Sequence, residues 1–346
     1  MFKKILHQLA HRSEKTIDKI TSKLGKPVNP NDIELVVYHH YATPTQITVS
    51  GRALKKQGIT KAQPSDSIVK NFINIYRRIK SDEIPHLPLF IQFQNIIYSV
   101  TTDEEGYFYK TITLDKELDF KSDGLTFKVS LQDGSRTTIG NIYLPPKDTK
   151  FGVISDVDDT IMVTHATNAI RLAMTTFLKN ATTREAFERV GKWYQLLKKG
   201  VSRNADNPFF YVSSSPWNLY DLISDFIDLN GLPKGSILLR DYGIDEDKFI
   251  MGTHGHHKKN AIIKILETYP TLDFILIGDS GQEDTFIYLD IAKQFPKRIS
   301  AIFIRNVHES SRVAEAIEEG QKNGIPIHLI AHSDKGLEIC KQLKML

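Results

Sequence analysis

The chain has 346 residues, enough for two domains with a core each, and an ordinary globular composition. Its single cysteine, Cys340, rules out an internal disulfide and agrees with a reducing compartment, and no apolar run approaches the ~18 residues of a membrane span or resembles the core of a secretory signal, so a cytoplasmic protein is expected. The net charge of +4 is uneven: residues 1–26 hold +5 and the remainder −1, which favours one local anionic contact and argues against a general nucleic-acid binder.

The first segment, residues 1–27, reads as a basic amphipathic helix. Phe2, Ile5, Leu6, Leu9, Ile17, Ile20 and Leu24 recur at roughly helical spacing with lysines between them, ending near Gly25-Lys26-Pro27. Such a helix could lie in an anionic bilayer interface, each base adding on the order of 1 kcal/mol, or dock on its own protein with its lysines solvated.

Residues 28–148 read as strands: IELVVYHHY, QITVSGRAL, PLFIQFQ, NIIYSVTTD, YFYKTITL, LTFKVSLQD and TIGNIYLP. Short strands broken by turn signals such as Asp103-Glu104-Glu105-Gly106 and Asp133-Gly134 predict a β-sandwich, interrupted by a helix in SIVKNFINIYRRIKS that Ser65 or Ser67 could cap. Nothing in this segment has the marks of a catalytic site. It is expected to position the enzyme or its partner, and Pro145-Pro146-Lys147-Asp148 closes it as a linker.

The third segment, residues 149–346, is organised around FGVISDVDDT at 151–160. Phe151, Val153 and Ile154 suit the central strand of a parallel sheet covered on both faces, and the acids fall where that strand stops. Ligands of open α/β sheets bind beyond the carboxyl ends of the strands, so Asp156 and Asp158 are placed for chemistry rather than packing. Three later strands bring further groups to that edge: FFYVS ending at Ser213, ILLRDYG followed by HHKK at Lys258, and FILIGDSGQED from Asp279 to Asp284. Between them lie the helical stretches AIRLAMTTFL, TTREAFERVGKWYQLLKKG and PWNLYDLISDFIDLN, the last with Ser215 as a cap before Pro216. The spacing from Ser213 to Lys258 leaves no room for a folded lid, and an open site admits a substrate presented on a large surface. Beyond Asn306 a helix, a strand and a helix extend the sheet and its covering layer.

Acid pair, hydroxyl, lysine and acid pair, in that order, resemble the haloacid dehalogenase (HAD) superfamily of phosphotransferases. Within it, YVSSSPW, GTHGHHKKNAI, IGDSGQEDTFIY and FIRNV are similar to the actin-patch phosphatidate phosphatases, Mg-dependent relatives of the lipins, over about residues 150–308. The resemblance implies an α/β, HAD-like Rossmannoid parallel sheet, capless or small-capped, preceded by the β-sandwich and the amino-terminal helix.

It also implies roles. Asp156 matches the nucleophile that forms an aspartyl phosphate, and Asp158 the acid and base that protonates the leaving alcohol and deprotonates water. Two close carboxylates facing an anionic ester call for a divalent cation, and Mg²⁺ with its preference for oxygen ligands fits Asp156, Asp279 and the Asp158 carbonyl. Asp284 would bind it through water, or serve as a helix-start acid. Asp159 would orient the loop. Ser213, or Ser214 if the strand ends one residue later, matches the phosphate-binding hydroxyl, and Lys258 matches the phosphate-binding lysine with Lys259 as its competitor. Thr160, Arg240, His254, His256, His257 and Arg305 are candidates for substrate contact; the histidines, in the loop before Lys258, lack the cysteine partners of a zinc site, and either arginine could instead pair with a neighbouring acid.

The reading is therefore a Mg²⁺-dependent phosphatase acting through an aspartyl phosphate, with phosphatidate at a membrane surface as the favoured substrate and an anionic lipid surface as partner. The alternatives are a phosphatase for phosphoproteins, polynucleotide ends or another soluble ester, and a membrane-binding scaffold with a vestigial catalytic domain.

Overall fold

The computed structural model describes residues 29–56, 83–118, 125–147, 149–157, 181–201, 206–240 and 254–346, without the side chains of 181–188, 240, 254–256 and a few single positions. The amino-terminal helix at 1–27, the helix expected at 67–81, Asp158, Asp159, Thr160, the helical stretch AIRLAMTTFL, and the side chains of Arg240, His254 and His256 lie outside the described residues. The described chain divides into two compact units, one drawn from residues 29–56, 83–117 and 125–142, the other from 143–346.

The first unit is antiparallel. Its strands are β1 (Ile33–Val37), β2 (His40–Thr43), β3 (Gln46–Lys55), β4 (Pro88–Phe93), β5 (Ile96–Thr101), β6 (Tyr107–Thr113), β7 (Leu125–Leu131) and β8 (Thr137–Tyr143), in the order β1-β3-β2-β8-β7-β4-β5 with β6 on β3. The run IELVVYHHY forms two strands instead of the one expected. β3 is long enough to take β1 at residues 51–55 and β2 at residues 46–47, while β6 runs along residues 46–52. Apolar positions build its core: Ile47 and Val49 on β3 and Leu89 and Ile91 on β4 are fully buried, while Gln46, Thr48 and Gln92 beside them keep exposed surface. Both expected turns form, with Gly106 and Gly134 at φ of 78° and 73°, where a side chain would be strained. Asp103 Oδ1 accepts from the amides of Glu105 and Tyr107, and Asp133 Oδ1 from that of Ser135.

The second unit is a parallel sheet of β9 (Phe151–Asp156), β10 (Phe209–Pro216), β11 (Ser236–Arg240), β12 (Asp273–Asp279), β13 (Ile299–Arg305) and β14 (Ile327–Ile330), ordered β11-β10-β9-β12-β13-β14. Counted within the unit this is 3-2-1-4-5-6, the doubly wound order, whose switch point lies beside β9. The helices are α1 (Ala181–Lys199), α2 (Tyr220–Leu229), α3 (His254–Thr268), α4 (Asp284–Gln294), α5 (Ser311–Lys322) and α6 (Ser333–Gln342). α3, α4 and α5 pack in sequence along one face; α1 and α6 pack together on the other. β9 is buried at every position and β12 at all but its first, as expected of central strands. Phe274, Ile275, Leu276 and Ile277 are essentially inaccessible, and each side chain of this size contributes about 1.5–3 kcal/mol by leaving water.

Two local expectations are corrected. Ser215 does not cap the helix after β10: its own amide donates to Ser213 Oγ at 2.9 Å, the strand continues to Pro216, and a 3-10 turn, Trp217–Leu219, precedes α2, whose cap position is Leu219. His254, Gly255, His256, His257 and Lys258 do not form a loop but open α3. Lys258 lies four and seven residues before Ile262 and Ile265, both fully buried, so it is the polar first member of the helix's apolar stripe.

Candidate active site

The register of the parallel sheet brings the acids together. β9 and β12 are adjacent, Ile277 pairing with Ser155, so both strands end side by side in a carboxylate, Asp156 and Asp279, each with no exposed surface. On the other side of β9, Val212 pairs with Asp156, which sets Ser213 one residue beyond it, buried, whereas Ser214 is half-buried. Asp284, the first residue of α4, is fully buried too, and an oxygen from each of Asp156, Asp279 and Asp284 lies within 4.8 Å of the others.

α3 supplies the cation. Lys258 Nζ is 2.7 Å from Asp156 Oδ1 and also bonds Asp284 Oδ1, with 3% of its side chain exposed. Burial alone would disfavour the ammonium, but the Asp156 and Asp284 carboxylates outweigh it and hold the lysine pKa above its ordinary value. Lys259, one step around the helix, turns away to Asp290 at 2.5 Å, and that contact holds the Asp290 carboxyl below the usual range.

The turn after β12 is held by its own side chains. Asp279 Oδ1 accepts from the amides of Gly281 at 2.6 Å and Gln282 at 3.0 Å. Asp284 Oδ2 accepts from the Asp279 amide at 3.2 Å, which requires close approach at Gly278, where an added Cβ would lie 2.5 Å from that same oxygen. Ser280 Oγ accepts from the amides of Val307 and His308 and donates to the His308 carbonyl, tying this turn to the loop after β13. Arg305 stands in register with Asp279 and lines a small cavity with Trp193, Tyr194 and Ile277. His257 is half-buried in the first turn of α3.

Among the described residues, the carboxylates of Asp156, Asp279 and Asp284 form a buried group close enough to share a metal ion, and burying such charges is favourable only where they are paired or bound to a cation. The donor set consists of hard oxygens drawn from three places in the chain, which fits a divalent ion such as Mg²⁺ better than a softer metal. Sequence reasoning passed over Gly278, Ser280 and the buried Ser155 and Tyr194 behind Asp156. Gly278 and Ser280 flank Asp279 in IGDSGQED, a signal that could have found them; Tyr194 had none, since its contact crosses 39 residues.

Residues 151–306 match the family model described as the catalytic domain of phosphatidate phosphatase APP1. The chain is 37% identical to phosphatidate phosphatase APP1 of Saccharomyces cerevisiae over 154 residues, 44% of this chain and 25% of that protein. It is 30% identical to an uncharacterized protein of Schizosaccharomyces pombe over 220 residues, 61% of this chain and 34% of that one. The chain thus spans a quarter to a third of the length of these curated relatives. Among solved structures, a carbohydrate acetylesterase from Xanthomonas citri shares 7% identity over 84% of this chain and 73% of its own, with a TM-score of 0.28, too low to carry an argument.

Proposed function

We propose that this chain, whose residues 151–306 match a phosphatidate phosphatase catalytic domain, is a phosphoric monoester hydrolase of HAD-like fold that converts phosphatidate to diacylglycerol. The observation that carries the reading is the meeting of Asp156, Asp279, Asp284 and Lys258, from two strand ends and two helix starts, at one sheet edge. In this reading Asp156, Asp279 and the Asp158 carbonyl would hold Mg²⁺, and Asp284 would support it through water. Asp284 also accepts from Lys258 and from the Asp279 amide, so it supports both the lysine and the metal-bearing turn. The ion supplies positive charge against the phosphoryl oxygens.

The chain's own groups carry the bond changes. An Asp156 oxygen attacks phosphorus, the bond from phosphorus to the alcohol oxygen breaks, and Asp158 delivers its proton to that oxygen. Water then attacks the acyl phosphate, Asp158 takes its proton, and Asp156 is released as carboxylate with inorganic phosphate. Lys258 stays charged throughout, held so by its two acid neighbours, and with the Ser213 hydroxyl it would bind phosphoryl oxygens. Asp156→Asn is expected to abolish turnover and leave binding to liposomes intact.

The accessory segment is proposed to be a β-sandwich that positions the enzyme. The basic start is proposed to hold a cytoplasmic protein against an anionic membrane surface. Among the described residues no helix is long and apolar enough to cross a membrane. The deciding experiment is a panel of phosphate esters with Mg²⁺: preferred hydrolysis of micellar phosphatidate supports the proposal, and faster turnover of a phosphopeptide, a polynucleotide end or a soluble ester rejects the lipid assignment.

A further inference from the structure

The strand that ends in Asp156 is tied down from the sheet face opposite Lys258. Successive strand residues point to opposite faces, so where Asp156 turns toward α3, Ser155 turns toward α1. There Ser155 Oγ donates to the Asp156 carbonyl oxygen at 2.8 Å and stands 2.8 Å from the Tyr194 hydroxyl. A serine hydroxyl has one proton, and the carbonyl takes it, so Tyr194 is the donor to Ser155. Both side chains are buried, Ser155 at 0% and Tyr194 at 1% exposure. The tyrosine ring is wedged between Trp193, edge-on at 5.5 Å between centroids, and Phe209 at 5.5 Å. Burial raises the Tyr194 pKa, so the hydroxyl keeps its proton at any working pH. Replacing both partners of a buried hydrogen bond by apolar groups of the same shape can be nearly neutral, so stability alone does not require the pair.

We propose that Tyr194 and Ser155 are positioning residues for the reaction, a two-hydroxyl strut that fixes the peptide after Asp156 and thereby the direction from which its carboxylate meets the phosphorus. The peptide unit is planar, so holding its carbonyl holds the backbone on which Asp156 is mounted. This inference rests on the phosphatase reading with Asp156 as the attacking carboxylate. The strut touches neither substrate nor metal, so its effect falls on the geometry of attack and not on binding.

The test compares the full chain with Tyr194→Phe, Ser155→Ala and the double variant, with Mg²⁺, on micellar phosphatidate and on p-nitrophenyl phosphate. Each single change is expected to lower kcat by about ten- to a hundredfold, the loss typical of a small misplacement, with KM within about twofold. The double variant should be no slower than the slower single one, because both changes break one strut. Ser155→Thr, which keeps a hydroxyl, should recover part of the rate. Variants within about twofold of the unaltered chain, losses that multiply in the double variant, or an effect on KM alone would overturn the proposal. Circular dichroism checks folding; should Tyr194→Phe not fold, Ser155→Ala, which removes a single oxygen, decides by the same kcat criterion. If the unaltered chain hydrolyses no phosphate ester, the phosphatase reading falls and this inference falls with it. An active chain with equally active variants removes the strut only.

Discussion

Lys258 bears the electrostatic balance of the candidate site, since it is the cation that meets both Asp156 and Asp284. Removing one partner of a buried ion pair leaves the other charge uncompensated, so Lys258→Met is expected to cost about 3–5 kcal/mol in chemical denaturation without added metal. Added Mg²⁺ should restore part of it if the three carboxylates take the ion. The pH dependence has a definite sign. A lysine whose folded pKa lies above its ordinary value, near 10.5, contributes stability that is complete below that value and is lost only as pH rises through the higher folded one. The difference between the unaltered chain and Lys258→Met should therefore stay level from about pH 6 to 9, apart from titration of the acids in the variant. Residue identity at the site was legible because charged side chains following apolar strand runs have no packing reason to be there. The choice of Lys258 over Lys259 was not, because it depends on which of two adjacent residues lies on the buried stripe of α3.

At the scale of elements, α1 and α6 meet through Trp193 and Gly336. The Trp193 indole donates to Cys340 Sγ at 3.4 Å and meets Phe303 edge-on at 5.3 Å, and a Cβ at Gly336 would lie 2.7 Å from its ring. Alanine is a better helix former than glycine by about 1 kcal/mol, yet Gly336→Ala is expected to destabilise by about 1–3 kcal/mol, because a ring fixed on several sides cannot move aside. Urea denaturation should show a lower midpoint with an unchanged slope. The same contact leaves Cys340 buried, its thiol pushed up to about 11 by desolvation. Elements were the most legible level: strand-like runs broken by turn signals marked β3 to β8, apolar runs ending in acids marked β9 and β12, and the helix, strand and helix expected beyond Asn306 are α5, β14 and α6. The failures share one cause. Where β10 ends, where α3 begins and how IELVVYHHY divides are each decided by partners distant in the sequence.

For the molecule as a whole, the prediction concerns the basic start. Deleting residues 1–26 is expected to weaken sedimentation with anionic liposomes while leaving turnover of a soluble ester unchanged; equal sedimentation would remove the membrane role. Length, patterning and the order of four motifs determined that an antiparallel segment precedes a parallel one and that acids, a hydroxyl and a lysine stand at strand ends, since these follow from local periodicity and from which residues can be buried. Only the tertiary structure decided that β9 and β12 are neighbours, that Lys258 bridges Asp156 and Asp284, and that a tyrosine on α1 stands behind Asp156. Strand neighbours and helix faces are set by packing between segments far apart in the sequence, from 26 residues between Lys258 and Asp284 and 39 between Ser155 and Tyr194 to more between β9 and β12, and no local pattern in the chain encodes that pairing.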